Sequence, residues 1–125
     1  MSKVKVSELS GKPLDWMVAV AMGLKPEKKY TGIYARGWPH TGCRECPDRI
    51  QPSTSWTQAG PIIERECIDL LCLAGGDDGW QADKYLHTEK VEGFGPTPLI
   101  AAMRCFVASK LGDEVEVPDE LLGGH

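Results

Sequence analysis

The densest set of metal-ligating side chains in the chain is His40-Thr41-Gly42-Cys43-Arg44-Glu45-Cys46. Two thiols separated by two residues can hold one zinc ion, with the histidine three residues earlier as a third ligand. A closed structural site needs four ligands, and no second close pair exists. Cys67, Cys72, Cys105 or His87 would have to be delivered by the fold. Two readings stand: a structural zinc on His40, Cys43 and Cys46 that pins the surrounding loop, and two thiols on a surface loop. The second is the plainer, because the ligand set is incomplete. A redox pair is disfavoured, since the strand before and helix after such a motif are missing. Cys67, Cys72 and Cys105 sit in apolar runs and read as small core residues.

A second constellation suits binding. Gly95-Pro96-Thr97-Pro98 opens one helix and Ser53-Thr54-Ser55 opens another, and a helix N-terminus attracts phosphate or carboxylate. Trp38, Trp56 and Trp80 fall in or beside loops, where an indole face can stack on a nucleobase or a peptide side chain. Together they describe a pocket for a small anionic ligand with an aromatic base: hydroxyls of Ser53, Thr54 and Ser55 and amides at 97–100 on phosphate oxygens, Trp56 or Trp38 over the base, and Arg65 or Arg104 as a clamp. The competing reading is purely structural. Every helix needs caps, and tryptophans at element ends usually edge a core.

Enzyme signatures are missing: there is no Gly-rich phosphate loop with its lysine, no nucleophile elbow and no histidine-glutamate zinc helix. The chain has three histidines, none beside an obvious nucleophile. Asp77-Asp78 in a Gly-rich segment reads as turn chemistry, and Glu64-Arg65-Glu66 as a solvated helix face. The expectation is a protein without catalysis and without a cofactor beyond that zinc.

These residues need elements to position them. The strongest runs from Thr97 to Gly112, where Thr97 can cap, Pro98 fits the first helical position and Gly112 can close the end. Between them Leu99, Ile100, Met103, Phe106, Val107 and Leu111 recur at helical spacing and predict an apolar stripe along one face. Residues 13–22 predict a second helix, apolar nearly all round and stopped by Gly23. A short turn at 56–59 followed by a helix at 61–66 is expected, because Gly60-Pro61 looks like a fresh start. Residues 3–6, 68–73, 80–86 and 114–117 read as strands, with Gly75-Gly76-Asp77-Asp78-Gly79 reversing the chain between the middle two as a hairpin. Glu114 and Glu116 can face Lys3 and Lys5 across an antiparallel pair that ties the chain ends together.

Residues 24–52, punctuated by Pro26, Gly32, Gly37, Pro39, Gly42, Pro47 and Pro52, predict a long irregular loop, and 118–125 a partly frayed tail. One domain over 1–125 is expected, large enough for a single core. Formal net charge is −4 with scattered basic residues, which argues against direct nucleic-acid binding. No apolar run of membrane-spanning length and no secretion signal is present. Five cysteines without such a signal read as reduced thiols, and the expected location is a cytoplasm. The apolar surface leaves room for a homodimer.

GPTPLIAAMRCFVASKLGDEVEVPDEL at the C-terminal end, PSTSWTQAGPIIERECI at 52–68 and the opening KVKVSELSGKPLDWMVAVAMG resemble the NinX family of bacteriophage proteins. A fainter similarity runs to phage proteins described as an alpha-beta-alpha sandwich. The resemblance implies a phage origin, the host cell cytoplasm as the place of action, and a small α/β (α+β) fold: an alpha-beta-alpha sandwich with a short, mostly antiparallel sheet and two to three helices. It implies no particular biochemical activity. Three functions are therefore expected in order: a non-catalytic binder of a small anionic ligand, sequestering a host nucleotide used in defence; an interaction module that inhibits a host protein through its acidic surface and the 24–52 loop; and a small enzyme of nucleotide metabolism.

Overall fold

The computed structural model describes residues 2–29, 32–38, 47–73 and 79–122, and only the backbone of residues 47 and 48. Three small antiparallel sheets and four helices make up these residues, with the mixed α/β composition that the sequence implies. The strands are divided among the three sheets instead of being gathered into one.

The first sheet joins the chain ends. Strand β1 (Ser2–Lys5) pairs antiparallel with β8 (Glu114–Val117), and the register sets Lys3 opposite Glu116 and Lys5 opposite Glu114. Opposite charges directly across a ladder contribute about 0.2–1 kcal/mol each. Val115 and Val117 turn the other way, into the core. Helix α4 (Asp119–Leu122) follows, with Leu121 buried and Asp119 accepting a hydrogen bond from the Ser2 hydroxyl at 2.5 Å. The expected fraying therefore does not begin at residue 118: one buried leucine and a contact to the other chain end hold the segment. Residues 123–125 lie outside the described residues.

The second sheet corrects the expected loop at 24–52. Strands β2 (Glu27–Lys29), β3 (Gly32–Arg36) and β4 (Pro47–Arg49) pair in the order β2-β3-β4, and Ile33, Ala35 and Ile50 are buried beneath them. Strands of three to five residues are too short for alternation to stand out between so many glycines and prolines. Trp38 is also buried here, at 2% exposure.

The third sheet, β5 (Asp69–Cys72), β6 (Trp80–Tyr85) and β7 (Lys90–Gly95), contains the expected hairpin, with Asp69 opposite Asp83 and Cys72 opposite Trp80. The turn expected of Gly75 to Gly79, with Asp77 and Asp78, falls on residues 74–78, which lie outside the described residues. β7 escaped the sequence reading because Gly93 and Gly95 break its pattern. Their purpose is close approach: a Cβ at Gly93 would sit 2.5 Å from the Ala101 carbonyl oxygen and 2.6 Å from the Cys105 nitrogen. The strand thus lies directly on the backbone of helix α3 (Pro98–Leu111).

Helix α3 is the centre of the core, and it is buried on more than the one stripe that its large residues outline. Leu99, Met103, Phe106 and Val107 are buried, but so are Ala101, Ala102 and Cys105, and of these Ala101 and Cys105 meet the glycine strand. Leu111 is half exposed instead. Helix α1 (Gly11–Ala21) packs against α3 through Leu14, Met17 and Val18. It ends as expected at Gly23, whose N–H bonds the Val20 carbonyl while that of Leu24 bonds the Ala19 carbonyl.

Helix α2 (Trp56–Arg65) is continuous, not a turn followed by a second start. Pro61 costs one backbone bond, yet Ala59 and Ile62, three residues apart, stay buried and keep the helix on the core. The same bonding pattern as in α1 ends it: Cys67 N–H to Glu64 at 3.3 Å and Ile68 N–H to Ile63 at 3.0 Å. Here the left-handed residue is Cys67, with φ +53°, where glycine is usual.

Candidate functional site

The site is built from two helix starts. Thr97 caps α3, its hydroxyl accepting the Ile100 N–H at 3.1 Å, and Pro98 follows at the position that needs no donor. Ser55 caps α2 by accepting the Gln58 N–H at 3.4 Å. Gln58 then reaches back: its side-chain carbonyl accepts the Gln51 N–H at 2.6 Å and its amide donates to the Arg49 carbonyl at 3.0 Å. This holds a tight turn in which the Thr54 and Ser55 N–H groups both bond the Gln51 carbonyl.

The turn brings residues from both caps together. Ser53, Thr54 and Trp56 line one side of a cavity of about 270 Å³, and Thr97, Pro98, Leu99 and Ile100 line the other. Trp56 is 55% exposed at its rim. The convergence of Ser53, Thr54, Trp56 and Thr97 is the one the sequence suggests, across some forty residues of chain.

The remaining expected ligands lie elsewhere. Ser55 is engaged in capping and does not line the cavity. Trp38 is in the core, because β3 runs directly into it. Arg65 is at the far end of α2, ion-paired with Glu66 at 3.1 Å and about 14 Å along the helix axis from Trp56. Arg104 donates to the Leu9 carbonyl at 2.7 Å and the Phe94 carbonyl at 2.6 Å, and lines a separate cavity of about 400 Å³ with Lys5, Glu92 and Asp113. Of the amides at 97–100, Pro98 has none and that of Ile100 is spent on the Thr97 hydroxyl at 3.1 Å. The cavity beneath Trp56 therefore has no cation in its lining and is largely apolar.

His40, Cys43 and Cys46 lie outside the described residues. Among the described residues no cluster of three His, Cys, Asp or Glu side chains can hold a metal ion. Cys105 is buried in α3, and burial pushes its thiol up to about 12. Cys67 and Cys72 are exposed, contrary to the core reading, because one follows the last turn of α2 and the other lies on the edge strand β5. Glu66, expected on a solvated face, instead gathers Lys84, Lys110 at 3.3 Å and Arg65. Burial works to raise this carboxyl, but the three hydrogen bonds prevail and lower it to about 2.

On the other side of the Ser53-Thr54 turn lies a second cavity, of about 140 Å³, that sequence reasoning missed. Its walls include Lys12, Asp15, Arg49, Ser53 and Thr54. Asp15 is 5% exposed and accepts the Ser53 N–H at 2.8 Å. Burial raises its carboxyl to about 6, against the opposing pull of the Ser53 N–H and hydroxyl. That hydroxyl, on a residue 2% exposed, lies against the carboxylate and is shut off from solvent with it. The available signal was a lone acid inside the apolar run Leu14-Asp15-Trp16-Met17-Val18.

Fold and site define a mixed α/β protein that offers small cavities at helix starts. A family model described as bacteriophage P22 NinX matches residues 5–110, most of the chain. The chain thus belongs to the NinX family of bacteriophage proteins. No curated protein matches it significantly. No helix among the described residues is long and apolar enough to cross a membrane.

Proposed function

We propose that this NinX-family protein is a non-catalytic binder of a small anionic ligand with an aromatic base, of the nucleotide class. In the infected host it would sequester such a molecule, where a nucleotide serves as a defence signal. The supporting observation is the convergence of Ser53, Thr54, Trp56 and Thr97 on one cavity, with an indole more than half exposed at its mouth. A solvated tryptophan beside an apolar hollow is a ready stacking surface, and stacking contributes about 1–3 kcal/mol per base.

The test is a tryptophan-fluorescence titration with nucleoside monophosphates, repeated on Trp56→Ala. The expected result is saturable quenching in the parent and its loss in the variant. Equal affinity in both, or no saturation at millimolar ligand, would refute this placement. Conversion of the nucleotide during the titration would instead make the protein an enzyme.

A second reading has its own observation. On the third sheet Leu71, Gln81 and Phe94 are cross-strand neighbours on the face opposite α3, with Leu71 and Phe94 exposed. This favours a host-protein interface on that sheet, and not at 24–52. A host protein that co-purifies with the parent but not with Phe94→Ser would support it.

A further inference from the structure

The edge of a sheet presents a row of unpaired N–H and C=O groups, and proteins guard such edges with charged residues, proline or a covering contact. Most edges of this fold are guarded. β1 carries Lys3 and Lys5, β8 carries Glu114 and Glu116, β2 is Glu27-Lys28-Lys29, and β4 runs from Pro47 to Arg49. β7 carries Lys90 and Glu92, and its Phe94 carbonyl is taken by the Arg104 guanidinium at 2.6 Å. The exception is β5, Asp69-Leu70-Leu71-Cys72. It lies at the end of its sheet with a single acid at its start and with Leu71 47% exposed.

The ladder fixes which groups that edge presents. The Leu73 N–H bonds the Gly79 carbonyl at 2.7 Å, so these two residues form a hydrogen-bonded pair. Such pairs alternate along an antiparallel ladder. Leu71 and Asp69 therefore bond β6 opposite Gln81 and Asp83, and the N–H and C=O groups of Leu70 and Cys72 point away from it. Among the described residues no strand pairs with that side. The row begins at Leu70, because the Ile68 N–H is already bonded to the Ile63 carbonyl at 3.0 Å. Two donors and two acceptors so arranged are complementary to themselves after a half-turn about Leu71.

We propose that β5 pairs antiparallel with β5 of a second copy of this chain, joining two three-stranded sheets into one of six strands. Leu70 of each copy exchanges both its backbone bonds with Cys72 of the other, and the two Leu71 side chains meet at the axis. Charge selects the same register. Asp69, Asp83 and Glu92 form an acidic row across the sheet. Pairing about Leu71 sets that row beside Leu73 of the second copy, whereas pairing centred on Asp69 would set carboxylate against carboxylate. A contact this short belongs to the weak, reversible class. The inference is independent of the nucleotide reading.

The experiment is sedimentation velocity of the full chain over about a hundredfold range of concentration, in which a reversible dimer shows a mass rising from one chain towards two. Leu71→Lys sets two ammonium groups together at the axis, and Cys72→Pro removes an N–H that faces away from β6. Each should weaken association about tenfold or more and keep the circular dichroism of the parent. Leu71→Lys alters no backbone group, so it decides the matter if the proline variant does not fold. Phe94→Ser, two strands from the edge, should dimerise as the parent does. Under mild oxidation Leu71→Cys should form a disulfide between the two introduced thiols, because Cα atoms in such a pair are about 4.5 Å apart. The two Cys72 residues, offset by two positions across the axis and so about 8 Å apart, should not link. A monomer at every concentration, association of Leu71→Lys as tight as the parent's, or introduced thiols that link no faster than those of Cys72 would each overturn the proposal.

Discussion

Replacing Asp15 with Asn should stabilise the protein at pH 8 and change it little at pH 4. The Asp15 carboxyl is raised from the ordinary 3.8 to about 6, chiefly by burial. Between these values the folded chain holds a proton that the unfolded chain has released, so stability falls as pH rises through the window. Above pH 6 the full cost of keeping the ionised group buried is present. At about 1.4 kcal/mol per pH unit this is about 3 kcal/mol, a large part of the 5–15 kcal/mol typical of a domain. Below 3.8 the cost is gone. Asparagine keeps an oxygen for the Ser53 N–H, now at 2.8 Å from the carboxylate, and never ionises. Glu66, lowered to about 2, acts in the opposite sense, its contribution lost as pH falls from 4.5 towards 2. It is common to both proteins and cancels in their difference. Urea unfolding of parent and variant at unit steps from pH 4 to 8 should show a gap that opens between 4 and 6 and then levels. A gap independent of pH, or a variant less stable at pH 8, would refute the account of Asp15.

Gly93→Ala should lose about 2–3 kcal/mol, because the new methyl group would meet fixed helix backbone at 2.5 Å; a melting temperature within a degree of the parent would mean that β7 can lift off α3 at little cost. Lys3→Glu sets like charges opposite Glu116 and should cost up to about 1 kcal/mol at low salt, with Glu116→Lys in the same chain restoring it. A double-mutant cycle with no coupling would show that the register carries no electrostatic energy. Cys67→Gly should gain about 1 kcal/mol in chemical denaturation, since glycine adopts φ +53° without the penalty of a side chain; a loss would show the thiol to be engaged.

What was readable in the chain itself was local. Caps at Ser55 and Thr97, the stop at Gly23, the hairpin at 69–85 and the lysine-glutamate register of β1 and β8 all rest on neighbouring residues or on period-two pattern, and each stands in the structure. The family, too, is carried by sequence blocks alone. What only the tertiary structure decided depends on which surfaces meet. The strands within 24–52 are too short to announce themselves, and β7 hides behind glycines whose purpose appears only once α3 lies against them. Trp38 and Trp56 look alike in sequence, yet one is in the core and the other in solvent. Arg65 and Arg104 were plausible clamps by type, but a guanidinium goes to the nearest acceptor, here Glu66 and the carbonyls of Leu9 and Phe94. The second cavity likewise exists only in the fold, because the turn anchored by Gln58 lays Ser53 against Asp15 across the start of α1, a contact between residues 38 apart that no local pattern encodes.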